Sequence, residues 1–550
     1  MGFLLPGNPL LHDNILRRGT NSTRIEDRIF KDGAMFSLAS ALRPLDAIVE
    51  QVDNGKVGQW STRVLSCGLI LFALSIPHSV AAAHISLGLS YFGWLVRDLS
   101  ARRLHCARTP LDLPLILFAA LTILSSVFSE EPNISMPKLK SLLLFGVLYL
   151  IATNISPQGV KLFAGLLILS SLVGVSYSLT EKLWGRGMIV TAIDAGSPLA
   201  GNQLQPGDVI WMVARKRVST TEGAAKVIRY QPSGKVIEIE AIHAGDPLPL
   251  TLTVTEELKT RPNPLGVSVN GRSRQFRVSG FNRQFQTYAE QMQVFALLAF
   301  GGLLAGVRLW KQSAVRSRPM IIITLVFVAF TLTLMLTASR AVIVSSIFTL
   351  VIVSVIIGGS RAPIIAAVAV IIFGSLSLLI VPSARQQAAL IFNDDSSTRR
   401  IAYMQAGLLM IPQRPIFGIG MDSQKLHWKE WGFPGDYITH THSTPIQIAL
   451  DRGIPALGCY LWLIVAMFIM TLRGYQRALS KRDLAMTGLM IGALAVLIGF
   501  SASSLVNYNF GDAEVLMLLL FIMGLVIVAR RENKNFFNTK GQRIEGSKGD

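Results

Sequence analysis

Unbroken apolar blocks of about 18–24 residues recur along this chain, each long enough to cross the hydrocarbon core of a bilayer as a helix. In lipid a helix satisfies its own backbone hydrogen bonds, so the blocks are predicted as helices whatever their β-branched content. Composition agrees: of 550 residues 51% are hydrophobic and 15% charged, with a mean hydropathy of +0.47. Water-soluble domains carry about 25% charged residues.

The blocks fall at 63–79, 81–97, 112–128, 138–154 and 160–179, giving five helices over 63–180. Four more, at 285–307, 319–337, 341–358 and 362–381, fill 284–381. Three others, at 446–471, 485–507 and 512–529, fill 446–530. Residues 1–62 read as a cytoplasmic extension with one amphipathic helix over Ala34–Val52, and 531–550 as a basic cytoplasmic tail. No short basic region is followed at once by an apolar core, so no cleaved signal peptide is expected. The expected fold is an all-α polytopic membrane protein of about twelve transmembrane helices, with a small β-rich insert at 181–283 and a polar loop at 382–445.

A net charge of +19 would suggest nucleic acid in a soluble protein. Here the basic residues sit between apolar blocks: Arg97, Arg102, Arg103 and Arg108; Arg308, Lys311, Arg316 and Arg318; Arg473, Arg477, Lys481 and Arg482; and the tail from Arg530 to Lys548. That is the positive-inside pattern of membrane proteins, so the expected partner is the membrane and not nucleic acid. With residues 1–62 inside, alternating crossings put all four clusters in the cytoplasm. The same alternation puts the 181–283 insert, the 382–445 loop and the turn with Glu130 and Glu131 outside. Cys67, Cys106 and Cys459 have no metal-ligand spacing and imply no disulfide framework.

The insert departs from this pattern. Met188–Ile193 and Val209–Val213 are strand-like, Pro206-Gly207-Asp208 reads as a turn, and Thr221–Tyr230 as a short helix. Lys235–Ala241 and Leu250–Val254 give closing strands. Gly196-Ser197-Pro198 followed by Leu204-Gln-Pro-Gly-Asp-Val-Ile210 resembles a bacterial PDZ domain; a generic small β-domain is the alternative. PDZ domains usually take an extended chain terminus as an added strand, which implies a peptide or protein ligand. The competing reading is a brace for the membrane domain.

Three features of the C-terminal half could carry chemistry. Arg340 lies between two apolar blocks in Leu336-Thr-Ala-Ser-Arg340. A charge at that depth is costly and generally functional, unless it is a snorkelling helix end. Arg399 and Arg400 open a predicted helix that ends at Pro415-Ile-Phe-Gly-Ile-Gly420. Read as a solvated helix start they need no role, yet cations oppose the dipole there, and guanidinium forks suit phosphate oxygens. Thr439-His440-Thr441-His442-Ser443 borders an apolar block. The His-x-His pair could chelate a metal with Asp422 or Asp436, but no third histidine is well spaced, so no metal and no other cofactor is expected.

Together these features resemble the O-antigen ligase and polymerase family of membrane glycosyltransferases. The resemblance rests on the Ser339-Arg340 pair, Arg400 ahead of Pro-x-x-Gly-x-Gly, and His442-Ser443 with Gly453 beyond; Gln447 and Asp451 also fit. Met404 stands where the family often has Trp, and Ala456 where a second Gly is common. The resemblance covers about 285–530 and implies a bacterial inner-membrane enzyme with its catalytic loop and insert on the periplasmic side. It implies inverting, metal-independent transfer of an undecaprenyl-diphosphate-linked oligosaccharide in O-antigen or exopolysaccharide synthesis. Arg340, Arg399 and Arg400 would then hold the diphosphate, and His442 would be the catalytic base, with His440 a second-choice base or acceptor contact. The acceptor would be another lipid-linked glycan for a polymerase, lipid A-core for a ligase, or a protein for an O-oligosaccharyltransferase. A non-catalytic transporter or a scaffold displaying the PDZ-like insert is the rival from another class; the broken helices and repeats of transporters are not seen.

Overall fold

The computed structural model describes residues 49, 55–102, 106–243, 246–309, 317–357, 395–433 and 440–531. The proposed helices over Ala34–Val52 and 362–381, the tail 532–550 and Asp436 lie outside the described residues, apart from Val49. The protein is mostly helical. Its helices are α1 (Gly55–Ser75), α2 (Val80–Ser100), α3 (Asp112–Val127), α4 (Gly146–Asn154) and α5 (Gly159–Trp184). After the β insert come α7 (Phe285–Leu309), α8 (Ser317–Leu336), α9 (Arg340–Ile357), α10 (Asp395–Met410) and α11 (Thr444–Arg452). The chain ends with α12 (Ile454–Ser480), α13 (Leu484–Ser504) and α14 (Ala513–Arg531). The helix inside the insert is α6 (Thr221–Arg229).

Among the described residues nine helical segments are long and apolar enough to cross a membrane, so the chain is a multi-pass membrane protein. The nine do not include α2, which carries His84, Arg97 and Asp98, or α3, which has 16 residues. Several expected boundaries change. The first helix begins at Gly55 and not at 63, because Trp60 and the small polar Ser61 and Thr62 continue the turn, with both hydroxyls bonded to the Gly58 carbonyl. The block at 138–154 is a 3₁₀ stretch, Met136–Phe145, that relaxes into α4. The block at 446–471 is two helices, α11 and α12, broken at Gly453. The loop 382–445 contains α10.

The core is helix on helix. At the crossing of α7 and α13, a Cβ on Gly301 would lie 2.2 Å from the backbone nitrogen of Gly492, so only small residues allow this approach. Connectivity sorts the loops onto two ends. The turns 76–79, 128–135, 337–339 and 505–512 lie with the insert at one end. At the other, Arg97 bonds Asp98 at 3.0 Å and Asn154 at 2.6 Å, and Lys161 pairs with Asp483 at 2.9 Å. Arg531 donates to the Ala152 carbonyl at this same basic end.

The insert is a small antiparallel sheet around its own apolar core. Strands β1 (Met188–Ile193) and β2 (Val209–Val213) coincide with the expected runs. They are joined by β3 (Lys216–Arg217), β4 (Val236–His243), β5 (Asp246–Thr253) and β6 (Val267–Val269), in the order β5-β4-β2-β1-β6 with β3 on β2. β2 is buried on both faces, since Val209, Trp211 and Met212 join the membrane core while Ile210 and Val213 fill the insert. Buried Arg186 fastens the two: it pairs with Glu181 at 2.6 Å and lies over Trp211 and Phe276.

Candidate active site at the polar end of the bundle

The polar end begins with the segment Pro415–Gly420, which is strapped to the end of α11. Ile419 and Gly420 donate to the carbonyls of Leu450 and Asp451, and Ile454 donates to that of Pro415. The strap requires Gly453, whose φ is +85° and whose Cβ would lie 2.1 Å from the Ile416 carbonyl oxygen. The break between α11 and α12 thus has a steric cause, and Pro455 just inside α12 restarts the helix. Glu130 of the neighbouring turn donates its amide to Ile419, so three separate segments meet here.

His442 sits at the mouth of α11 with φ +55°, a left-handed conformation uncommon for a non-glycine residue. The chain is held there from both sides. The Thr441 amide donates to Gln447 Oε1 at 2.7 Å, and Gln447 donates to Asp451 at 2.7 Å. Thr444 donates its amide and hydroxyl to the Asn507 carbonyl at 3.1 and 3.0 Å. The His442 amide donates to His440 Nδ1 at 3.2 Å, and the two rings meet edge to face at 4.3 Å. Tyr403 of α10 lies 6.0 Å from the His442 ring and Tyr508 lies 5.6 Å from that of His440.

Both histidines lie outside the membrane-spanning segments and both are largely neutral at neutral pH. Burial, then the Arg400 and Lys425 cations, lowers His440 to about 4. Burial, then His440 and Arg400, lowers His442 to about 3. The structure therefore brings Arg400, His440 and His442 into one electrostatic neighbourhood. Half-buried Arg400 donates to Asn507 Oδ1 at 3.3 Å from the second turn of α10, while Arg399 is exposed beside it.

Arg340 opens α9 and is half-buried. Its neighbour Ser339 donates to Gln286 at 3.0 Å, one helical turn from Glu290 on α7. Glu290 in turn accepts from Asn507 at 3.0 Å and from Ser503 at 2.5 Å. Arg340 and Arg400 are thus tied to the same end of α7 through Ser339 and Asn507. Among the described residues no three His, Cys, Asp or Glu side chains gather to hold a metal ion. Asp422 is committed elsewhere, to Lys138 at 2.5 Å and Lys425 at 2.8 Å.

Residues 325–461 match the O-antigen ligase family model. The match covers about a quarter of the chain and contains Arg340, Arg399, Arg400, His440, His442 and Gly453. With the helix content, it supports a membrane enzyme of surface-polysaccharide synthesis. Separately, 85 residues are 33% identical to the magnetosome formation protease MamE of Magnetospirillum gryphiswaldense, a stretch that is 14% of this chain and 11% of that protein. The chain therefore spans only about a tenth of that relative's length.

Several partners in this neighbourhood were not singled out from the sequence: Lys425, Tyr403, Tyr508, Asn507 and Glu290. Lys425 and Tyr403 had local signals, the first following the Gly418-x-Gly420 turn by five residues and the second lying one helical turn after Arg400. The others are united only by folding, since Glu290 and Asn507 are 217 residues apart.

Proposed function

We propose that this protein is a bacterial inner-membrane glycosyltransferase that polymerises or transfers an undecaprenyl-diphosphate-linked oligosaccharide at its polar end, facing the periplasm. The observation that carries the reading is a half-buried histidine pair, His440 and His442 with rings 4.3 Å apart, beside Arg400 within the segment similar to O-antigen ligases.

The acceptor hydroxyl attacks the anomeric carbon and inverts it. The new C–O bond forms as the bond to the diphosphate breaks, and the leaving group takes the electron pair. Arg340 and Arg400, with Arg399 auxiliary, stabilise the charge that develops on the diphosphate. Lys425, paired with Asp422, lies on the His440 side. His442 takes the acceptor proton, and His440 supports it or contacts the acceptor. A base held at about 3 would be weak. A diphosphate bound next to His442 favours the charged imidazolium and raises the pKa. Basicity then appears only with donor in place.

The acceptor reading favoured is a second lipid-linked glycan. Lipid A-core and protein acceptors are the alternatives. The insert is read as PDZ-like, supported by its strand and helix positions and by the open outer edge of β6. The Arg186–Glu181 pair at its base favours the bracing role for it. Cells with and without the gene, compared for surface glycan, test the function: loss of polymer supports polymerisation, and an unchanged profile refutes it.

A further inference from the structure

The opposite, basic end holds a cavity of about 220 Å³ between α12, α13 and α14 that the proposed reaction does not use. Its rim is cationic: Arg477 from the last turn of α12, Lys481 that caps that helix, and Arg530 from the end of α14. Arg473 and Arg477, four residues apart, share one face of α12, and Lys481 follows at its C-cap. Asp483 is the acid on the cavity wall, and its charge is already taken. It pairs with Lys161 at 2.9 Å and caps α13 by accepting from the Met486 amide at 3.1 Å.

Among the described residues no ion pair is recorded for Arg473, Arg477, Lys481 or Arg530. The Nε of Arg530 is buried with no hydrogen-bond partner. Like charges converging on a partly enclosed space repel, and a buried guanidinium donor without an acceptor is costly. Positive-inside sorting requires basic residues in the loop but does not require a cavity between them. Met486, Met490 and Ala529 supply an apolar lining, and Gly474 admits Met490, whose sulfur would lie 2.7 Å from a Cβ there.

We infer that this cavity is an anion site for a phosphate-bearing ligand, held by Arg477, Lys481 and Arg530, which in the bilayer is the headgroup of an anionic lipid. The guanidinium pair provides forked donors for phosphate oxygens and Lys481 a mobile point charge. The methionine lining accommodates the glycerol region. Basic pockets between transmembrane helices at this end are the arrangement that takes phosphorylated headgroups.

Native mass spectrometry of the detergent-purified full chain, incubated with equal phosphatidylglycerol and phosphatidylcholine, tests the site. The wild type should retain phosphatidylglycerol preferentially. Arg477→Gln combined with Arg530→Gln should lower that retention about tenfold, the equivalent of one or two charge-assisted contacts. Lys481→Gln, at an exposed position that leaves packing intact, should lower it severalfold, and Arg482→Gln, which does not line the cavity, should not. Inorganic phosphate added as competitor distinguishes the sources. Displacement at millimolar phosphate assigns the site to soluble phosphate, and no displacement assigns it to the lipid. Equal retention of both lipids, or unchanged retention in the Lys481→Gln and double variants, overturns the inference.

Discussion

Both ends of the helix bundle bury arginine in an ion pair, Arg97 with Asp98 and Arg452 with Asp451, but they hold their other cations differently. At the basic end Arg473, Arg477, Lys481 and Arg482 are exposed, with no recorded ion pairs among the described residues. At the polar end Arg452 is buried against Asp451, and half-buried Arg400 bonds Asn507, itself fixed by Glu290. Exposed cations on helix ends orient a chain in its membrane at little folding cost. Burying polar groups costs free energy unless each is satisfied, so a buried network at a loop-built end marks the place where chemistry is concentrated.

This contrast can be broken by substitution. The largest effect is expected at His442. His442→Ala should slow transfer by about 10²–10⁴-fold, as loss of a general base does, while His440→Ala costs less. In the same assay Arg482→Gln, at the basic end but not lining its cavity, should leave the chemical step near wild type. Equal losses at both ends would abolish the distinction.

Next come the arginines. Arg400→Lys and Arg340→Lys should each reduce the rate about ten- to hundredfold despite the retained charge, because lysine cannot form the bidentate contact. Arg414, paired with Glu130 at 2.5 Å and more than half exposed, is the control, and Arg414→Lys should cost little. Normal rates in both Lys variants at normal protein levels would remove the leaving-group role.

Gly453→Ala probes the scaffold beneath the site. The strained φ alone costs about 1–3 kcal/mol, and the clash with Ile416 adds to it. The unfolding midpoint in detergent should fall clearly, more than for Gly458→Ala, where no atom lies within 4 Å of the added Cβ. Equal midpoints for the two variants would show that the strap does not depend on this glycine.

The smallest effect is a pH dependence of stability. His440 and His442 titrate at about 4 and about 3 when folded, against 6.5 as the ordinary value. Between these values the unfolded chain binds more protons, so stability is full above about pH 6.5 and is lost as pH falls toward 4. Without donor, the wild type should lose more stability from pH 7 to 4 than a variant with both histidines replaced by Gln. Parallel profiles would mean that the surroundings of the half-buried pair do not hold it neutral.

Much of the bundle was legible because membrane helices announce themselves locally: α5, α7, α8, α9, α13 and α14 fall on the expected apolar blocks. β1 and β2 were legible for a similar reason, as short runs bounded by Gly and Pro turns. The break at Gly453 was missed although Arg452-Gly453-Ile454-Pro455 contains a helix stop and a restart. An apolar block long enough to span outweighed that punctuation. At the site, the motif residues Arg400, His440 and His442 could be picked out. The groups that hold them could not, because Glu290 on α7 and Asn507 after α13 meet only when the helices pack.

The central claim is that the polar end moves glycan off a lipid diphosphate with no other energy source. The most direct measurement incubates the purified chain with undecaprenyl-diphosphate-linked oligosaccharide, without nucleotide and with a metal chelator. Longer lipid-linked glycan, released undecaprenyl diphosphate and inverted configuration at the new linkage are the expected products. Unchanged donor under these conditions, or turnover that stops with chelator and returns with Zn²⁺, would contradict it.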